Sequence, residues 1–445
     1  MELNKLNSQG ALTYIDLFAG CGGLSLGLHQ AGWKGILAVE RSPMAFETLR
    51  HNLIDSGLDH FPHWPTWFPK EACSIQKFTK TYRKKLQLLQ GKVMLIAGGP
   101  PCQGFSFAGK RRKHDHRNQL YKSYLEVVGL VRPALVLIEN VAGITSRFSG
   151  ISRPGKRGRP QVPYSERIKK ALEKKFDYDV CHTAVLASDF GVPQARSRFV
   201  AVGIDRKQFA DGGCPFDPDD LLARVRETLL STHGLPIDRP VSSREALSDL
   251  EYDSSNVAAC PDSKTYESGR YRDPSNGYQL FMRRGNTNSG VVDSHRFVKH
   301  QPRIIERFCK ILESCPRGKN LPKAFRKQHR IKKTCIVPLD PERPASTLTT
   351  IPDDMIHYSQ PRVLTVRECA RLQSFPDWFA VKSKYTTGGR LRKAECPRYT
   401  QIGNAVPPLL AEALGRALAL WIDANREANP ARPQCPNDSP SARVA

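Results

Sequence analysis

No stretch of the 445 residues approaches the roughly 20 consecutive apolar residues that span a bilayer. The opening MELNKLNSQG has neither the cationic start nor the apolar run of a signal peptide. A soluble, cytoplasmic protein with no membrane partner is the expectation. The twelve cysteines include no CxxC pair and no recurrent Cys/His spacing, which argues against a zinc site or a disulfide framework and leaves free thiols. Carboxylates are also scarce. Against 68 Lys and Arg stand 43 Asp and Glu, a formal charge of +25 and a pI near 9.7. A field of that sign concentrates a polyanion, so nucleic acid is the natural partner, although charge alone does not separate DNA from RNA.

Apolar residues, 40% of the chain, are spread along its length, enough for a folded body. Over the first two hundred residues short strands are expected at 12–15, 36–39, 93–97 and 135–138, with two more at 183–186 and 199–203. The helical pattern LSLGLHQAGW lies between the first two, with Leu24, Leu28 and Ala31 on one face. This alternation implies an α/β fold with a mostly parallel sheet covered on both faces. After about Asp205 the chain turns polar, Pro-rich and basic, as in MRRGN, HRFVKHQPR and PRGKNLPKAFRKQHRIKK. Helical periodicity returns in LTVRECARLQ and PPLLAEALGRALALWI. The expected division is a catalytic, cofactor-binding domain at 1–205, a smaller irregular domain at 206–395, a helix at 396–424 returning to the first, and a disordered tail at 425–445.

Four motifs carry chemistry. DLFAGCGGLSLG leaves the first strand and opens the first helix, where glycines let the backbone approach a nucleotide cofactor, and Glu40 ends the next strand, where a carboxylate accepts from ribose hydroxyls. Such turns serve NAD, FAD and S-adenosylmethionine alike. GGPPCQGFS follows the strand VMLIA and presents Cys102 at the end of the sheet where open α/β folds bind ligands. In LVLIENVAGI, Glu139 leaves a fully apolar strand, where burial would raise a carboxyl's pKa and keep its proton for donation. In ASDFGVPQARSRFVAVG, Gln194, Arg196 and Arg198 alternate, so on an extended chain they share a face able to hold a base edge, a phosphate or Glu139.

These motifs in this order, with RYTQIGNAVPP near the C-terminus, resemble the DNA cytosine-5 methyltransferase family of the bacterial restriction-modification type. The likeness covers most of 11–205 and about 343–424. It implies a Rossmann-like S-adenosylmethionine-dependent methyltransferase fold, with 206–395 as the target-recognition domain. It also implies that Phe18 stacks on adenine, that Ala19, Gly20, Gly22, Gly23 and Leu24 line the methionine end, and that Glu40 binds ribose. Pro100, Leu120, Asn404 and Val406 would complete the pocket. At the position where the family usually has an acidic residue this chain has Ser74, before Ile75. Cys102 would be the nucleophile, Glu139 the general acid, and Arg196 and Arg198 the groups that orient it. Gln103, Ser106, Arg117 and Gln194 would meet DNA, with Arg283, Arg284, Asn286 and Asn288 as candidate readers of base edges. The implied partners are double-stranded DNA and a paired restriction endonuclease, for a monomeric, nucleoid-associated enzyme.

Overall fold

The strand-and-helix rhythm assembles as a six-stranded sheet in the computed structural model, which describes residues 11–101, 120–145, 162–209, 216–286, 290–388, 391 and 394–428. Strands β1 (Thr13–Leu17), β2 (Lys34–Val39), β3 (Leu95–Gly98), β4 (Leu135–Val141), β5 (Tyr178–Leu186) and β7 (Ser197–Asp205) lie in the order β2-β1-β3-β4-β7-β5, and the two-residue β6 (Gln194–Ala195) stands outside it. Their side chains divide between two apolar layers at the spacing of a pleated strand. Leu135 and Leu137 of β4 join one cluster, while Val136 and Ile138 join the other, so both faces are covered.

The sheet is mostly parallel, and the exception has a simple cause. β1, β2, β3 and β4 run parallel, whereas β7 is antiparallel to both β4 and β5. A parallel crossover needs a dozen or more residues, and the link between β5 and β7 is shorter: a 3-10 turn at Ala187–Phe190 and then β6.

The helix Pro408–Ala428 closes one face. It lies against the helix Gly23–Gln30 so tightly that a Cβ on Gly27 would sit 2.2 Å from the Pro408 carbonyl oxygen, and one on Gly415 would sit 2.7 Å from Ala31 Cβ. Trp33 Nε1 donates to the Gly415 carbonyl at 2.9 Å. By length and composition the helical stretch Arg398–Ala428 is apolar enough to cross a bilayer, yet 78% of its most apolar window is buried within the protein.

Beyond β7, helix Pro218–His233, capped by Asp217, joins the C-terminal helix through His233 Nε2 and Glu412 Oε2 at 2.9 Å. A three-stranded antiparallel sheet follows, with β8 (Val257–Ala259), β9 (Glu267–Arg270) and β10 (Val291–Arg296) in the order β10-β9-β8. What holds this region is the helix Val366–Leu372, started by a capping box between Thr365 and Glu368, whose seven residues are all buried. Three of them are charged. Arg371 donates to Asp377 at 2.6 and 2.7 Å and to Asp249 at 3.1 Å. Arg367 reaches Asp293 Oδ2 at 2.9 Å and the Phe379 carbonyl at 2.8 Å. Burial would raise the Glu368 carboxyl, but Arg362, bonded at 2.6 and 2.8 Å, holds it down at about 2. Packing a whole guanidinium out of water is expensive, and these pairs offset that cost only while complete. Replacing Arg371 with Met should therefore take from buried Asp377 its bidentate partner and from buried Asp249 one of its two guanidinium partners, and lower unfolding stability by about 3–5 kcal/mol, read as a shift in urea midpoint. A midpoint unchanged from wild type would contradict it.

Candidate active site

The turn after β1 is built for close backbone approach. Phe18, Gly20 and Gly22 all have positive φ, at 64°, 58° and 101°. Nothing lies within 4 Å of the place a Cβ would take on Gly20, whereas one on Gly23 would sit 2.2 Å from the Val406 carbonyl oxygen. The turn thus has an open side and a side sealed by the C-terminal segment. Glu40 ties it to the end of β2, with Oε2 accepting from Gly20 N at 3.0 Å and Oε1 from Ser42 N at 2.7 Å. Burial raises its pKa, and those two N–H groups partly offset the rise. Each carboxylate oxygen keeps a lone pair for a further donor, as ribose recognition requires. Ala19, Leu24 and Leu120 are buried, while Asn404 is exposed beside Val406. An open glycine turn, a carboxylate at the neighbouring strand end and an exposed amide fit a nucleoside cofactor.

Asp16, which sequence reasoning passed over, lies beneath this turn. Ser25 Oγ donates to its Oδ2 at 2.6 Å, and Oδ1 is buried without a partner. Burial pushes its pKa up to about 7, against the pull of the Ser25 bond and with a further rise from the charge of Glu40.

The ends of β3 and β4 meet beside it. Glu139, 7% exposed, pairs through Oε1 with Arg198 Nε at 2.7 Å. A Cβ on Gly99 would stand 3.2 Å from Glu139 Oε2, so the second oxygen faces the Gly-Gly-Pro-Pro loop across a gap that glycine keeps free. Asn140 Nδ2 donates to the Pro100 carbonyl at 2.8 Å, and its Oδ1 accepts from Val141 N at 2.9 Å. The residue after Glu139 thus fixes the backbone two residues before Cys102. Cys102, Gln103, Ser106, Arg117 and Asn288 lie outside the described residues.

Arg196 and Gln194 are placed differently from the sequence expectation. Neither bonds the Glu139 carboxylate, and both point into the join between β6 and the C-terminal segment. Arg196, 3% exposed, donates to the carbonyls of Gly403 at 3.0 Å and of Leu348 and Ala405 at 3.3 Å. Gln194 is fully buried, bonding Gln373 Oε1 at 2.9 Å, the Leu372 carbonyl at 3.1 Å and Leu348 N at 2.9 Å. Gln373 in turn donates to the Ile402 carbonyl at 2.7 Å. The alternation argument failed because the chain breaks at Arg196: β6 pairs with Ala345–Ser346, and β7 begins at Ser197 in the main sheet. Burial holds the Arg196 pKa well below its ordinary value; Arg198 lowers it further and Glu139 opposes that.

Two other candidates are engaged elsewhere. The Ser74 hydroxyl caps the helix Ile75–Gln87 by accepting from Lys77 N at 3.2 Å, and Ile75 is buried in the layer behind it. Arg283 is spent on Asp249 and the Arg272 carbonyl, stacked 4.4 Å from the Tyr271 ring centroid, so it is not a free reader. Arg284 is exposed, and Asn286 donates to Tyr271 Oη at 3.1 Å. Among the described residues no group of three or more His, Cys, Asp or Glu is arranged to hold a metal ion.

Comparison with known proteins accords with this geometry. Residues 12–419 match the family model described as C-5 cytosine-specific DNA methylase. The Type II methyltransferase M.DdeI of Desulfomicrobium norvegicum is 29% identical over 433 residues, 93% of this chain and 89% of that protein. M1.HphI of Haemophilus parahaemolyticus is 30% identical over 414 residues, 92% and 87% of the two chains. Among solved structures, a prophage-encoded E. coli protein described as a DNA modification methyltransferase matches with a TM-score of 0.58 at 25% identity, covering 93% of this chain and all of that one.

The Arg196 contacts generate a direct test. Arg196→Met would leave the carbonyls of Leu348 and Gly403 without this donor, and that of Ala405 with Gln373 Nε2 alone at 3.3 Å, at about 1–3 kcal/mol for each that stays buried and unpaired. A loss of stability of at least about 2 kcal/mol in urea unfolding is expected, and a neutral substitution would show that these bonds do not hold the segment.

Proposed function

The chain belongs to the C-5 cytosine-specific DNA methylase family and is a DNA cytosine-5-methyltransferase; we propose that it methylates one cytosine within a specific duplex sequence through a covalent bond to Cys102. The observation that carries this reading is the meeting of Glu139, held by Arg198, with the backbone that leads into Cys102, held by Asn140. S-adenosylmethionine would lie on the open side of the Phe18–Gly23 turn, held by Glu40 and Asn404, and when bound it supplies an electrophilic methyl group.

The chemistry follows from what cytosine lacks. Carbon 5 is a poor nucleophile, and attack on the face of the ring is blocked inside the stack, so the base must be flipped out first. The Cys102 thiolate then forms a bond to carbon 6, and the displaced π pair makes carbon 5 nucleophilic. Negative charge developing at N3 is met by a proton from Glu139, whose Oε2 is the oxygen not paired with Arg198. Carbon 5 takes the methyl group. A base removes the proton from carbon 5, the carbon 6–sulfur bond breaks as the ring double bond re-forms, and N3 gives its proton back to Glu139, returning the Cys102 thiolate. Arg198 acts by fixing Glu139, as expected from sequence, and Arg196 by fixing the segment that seals the turn, so the orienting role expected of both falls to Arg198.

The relatives that carry the name Type II methyltransferase support a place beside a cognate restriction endonuclease, with methylation protecting host DNA. One flipped base needs one active site, so we take the monomer as the working unit. Bisulfite sequencing of plasmid DNA from cells expressing the wild type should show 5-methylcytosine at one short recurrent sequence, and the Cys102→Ala variant should show none. Methylation by that variant would remove the covalent mechanism. In steady-state assays Glu139→Gln should lower kcat by about 10²–10⁴ while leaving the KM for DNA within a few-fold. A change confined to KM would assign Glu139 to binding.

A further inference from the structure

Between β10 and the strand Val337–Pro338 the chain builds a small module around its own apolar cluster. Phe308, Ile311 and Cys315 recur at helical spacing along and just past helix Pro302–Ser314, and they close with Leu321, Ile331 and Ile336, and with Ile356 and Val363 from the chain that follows, into a cluster separate from the two that cover the sheet. The other side of the helix carries Arg303, Arg307 and Lys310, four and three residues apart. Residues 299–333 hold twelve Lys and Arg against two Glu, so this short segment supplies ten of the chain's 25 net positive charges.

What sets the module apart is the density of its cations. On the main body some cations are paired, as Lys34 with Asp59 at 2.8 Å and Arg83 with Glu126 at 2.8 Å, and others such as Lys80 and Lys84 are exposed without an ion pair among the described residues, but nowhere there do so many crowd with so few carboxylates. In the module Lys310 pairs with Glu306, but the exposed Arg303, Lys319, Lys323, Lys327 and Arg330 have no carboxylate partner among the described residues. Arg330 also sits at φ 51°, a left-handed conformation that glycine takes freely and an arginine does not. A face kept only for solubility would intersperse both signs of charge and would not favour a cation at that φ.

The module is tied to the site. Lys333 Nζ lies 2.9 Å from Asp354 Oδ1, and Asp354 Oδ2 accepts from Thr349 Oγ1 at 2.5 Å. The adjoining Leu348 carbonyl is one of those held by Arg196. We propose that residues 299–333 form a phosphate clamp that grips the backbone of duplex DNA beside the methylated site without reading its sequence. The inference rests on the reading that the substrate is duplex DNA. It adds a second contact whose role is affinity, distinct from base recognition.

The test uses the full-length chain and a mixed-sequence 30-base-pair duplex, with fluorescence anisotropy followed across a salt series. Each lost phosphate contact lowers the slope of log K against log salt by about 0.9, so Lys323→Gln/Lys327→Gln/Arg330→Gln should reduce it by up to about 3. The KM for plasmid DNA should rise while the methylated sequence, read by bisulfite sequencing, stays the same. Arg330→Gly separates binding from folding: it should bind DNA more weakly yet melt at or above the wild-type temperature, because glycine relieves the backbone. An unchanged salt slope would reduce the patch to a solubilising surface. An altered methylation pattern would make it a base reader, and loss of binding to a matched RNA duplex with DNA binding intact would give it to another polymer; each overturns the proposal. Failure of the underlying reading would show separately, as wild-type protein that methylates no plasmid.

Discussion

The backbone from Ile402 to Val406 is the piece on which the site depends. Gln373 holds the Ile402 carbonyl, Arg196 holds those of Gly403 and Ala405, and the Val406 carbonyl closes against Gly23 with no room for a side chain. Gln401, in the short helix Arg398–Asn404 that leads into this segment, accepts from Thr48 at 2.7 Å, and its carbonyl receives the Cys21 thiol at 3.8 Å. A segment from the far end of the chain thus becomes one wall of the turn after β1. Buried carbonyls left unpaired cost as much as lost hydrogen bonds, so the segment has one stable position, and the cofactor wall inherits it.

The same logic governs the irregular chain beyond β7. Irregular polypeptide with few long strands cannot fix itself by ladder bonding, and here it is fixed by charge. Arg371 and Arg367, both fully buried, reach out of the helix Val366–Leu372 to Asp249, Asp377 and Asp293 and to the carbonyls around them. His295 on β10 is held between Thr365 Oγ1 and the Leu250 carbonyl, and burial lowers its pKa to about 4, so it stays neutral at ordinary pH. Gln373, which clamps the Ile402 carbonyl, directly follows this helix. The irregular region and the wall of the glycine turn therefore share one anchor.

Much of the fold was legible in sequence because it obeys local rules. LVLIENV reads as a strand buried on both faces and is one, and DLFAGCGG reads as a strand-to-helix turn and has the positive φ values that glycine supplies. The antiparallel β7 was not legible, since direction follows from how short the link from β5 is, and apolar runs look alike either way. Motif residues mark the site, but motif identity does not say what each side chain touches. Arg198 and Arg196 are two positions apart, yet one meets Glu139 and the other carbonyls about 150 and 207 residues away in sequence. Ser74 and Gln194 are likewise occupied by contacts that no spacing rule exposes, a helix cap and a buried amide network. The charged hub of Arg367, Glu368 and Arg371 sits in a stretch that reads as an ordinary amphipathic helix, because polarity in sequence implies exposure and here the partners are distant.

The account stands or falls on the proposed bond between Cys102 and carbon 6 of the target base. The most direct measurement is mass spectrometry of peptides from the wild-type enzyme incubated with S-adenosylmethionine and duplex DNA in which 5-fluorocytosine replaces cytosine. Fluorine at carbon 5 cannot leave as the proton does, so the last step stalls. The account predicts a stable adduct on the peptide containing Cys102 and none in the Cys102→Ala variant. An adduct on another cysteine, or methylated product released with no adduct at all, would contradict it.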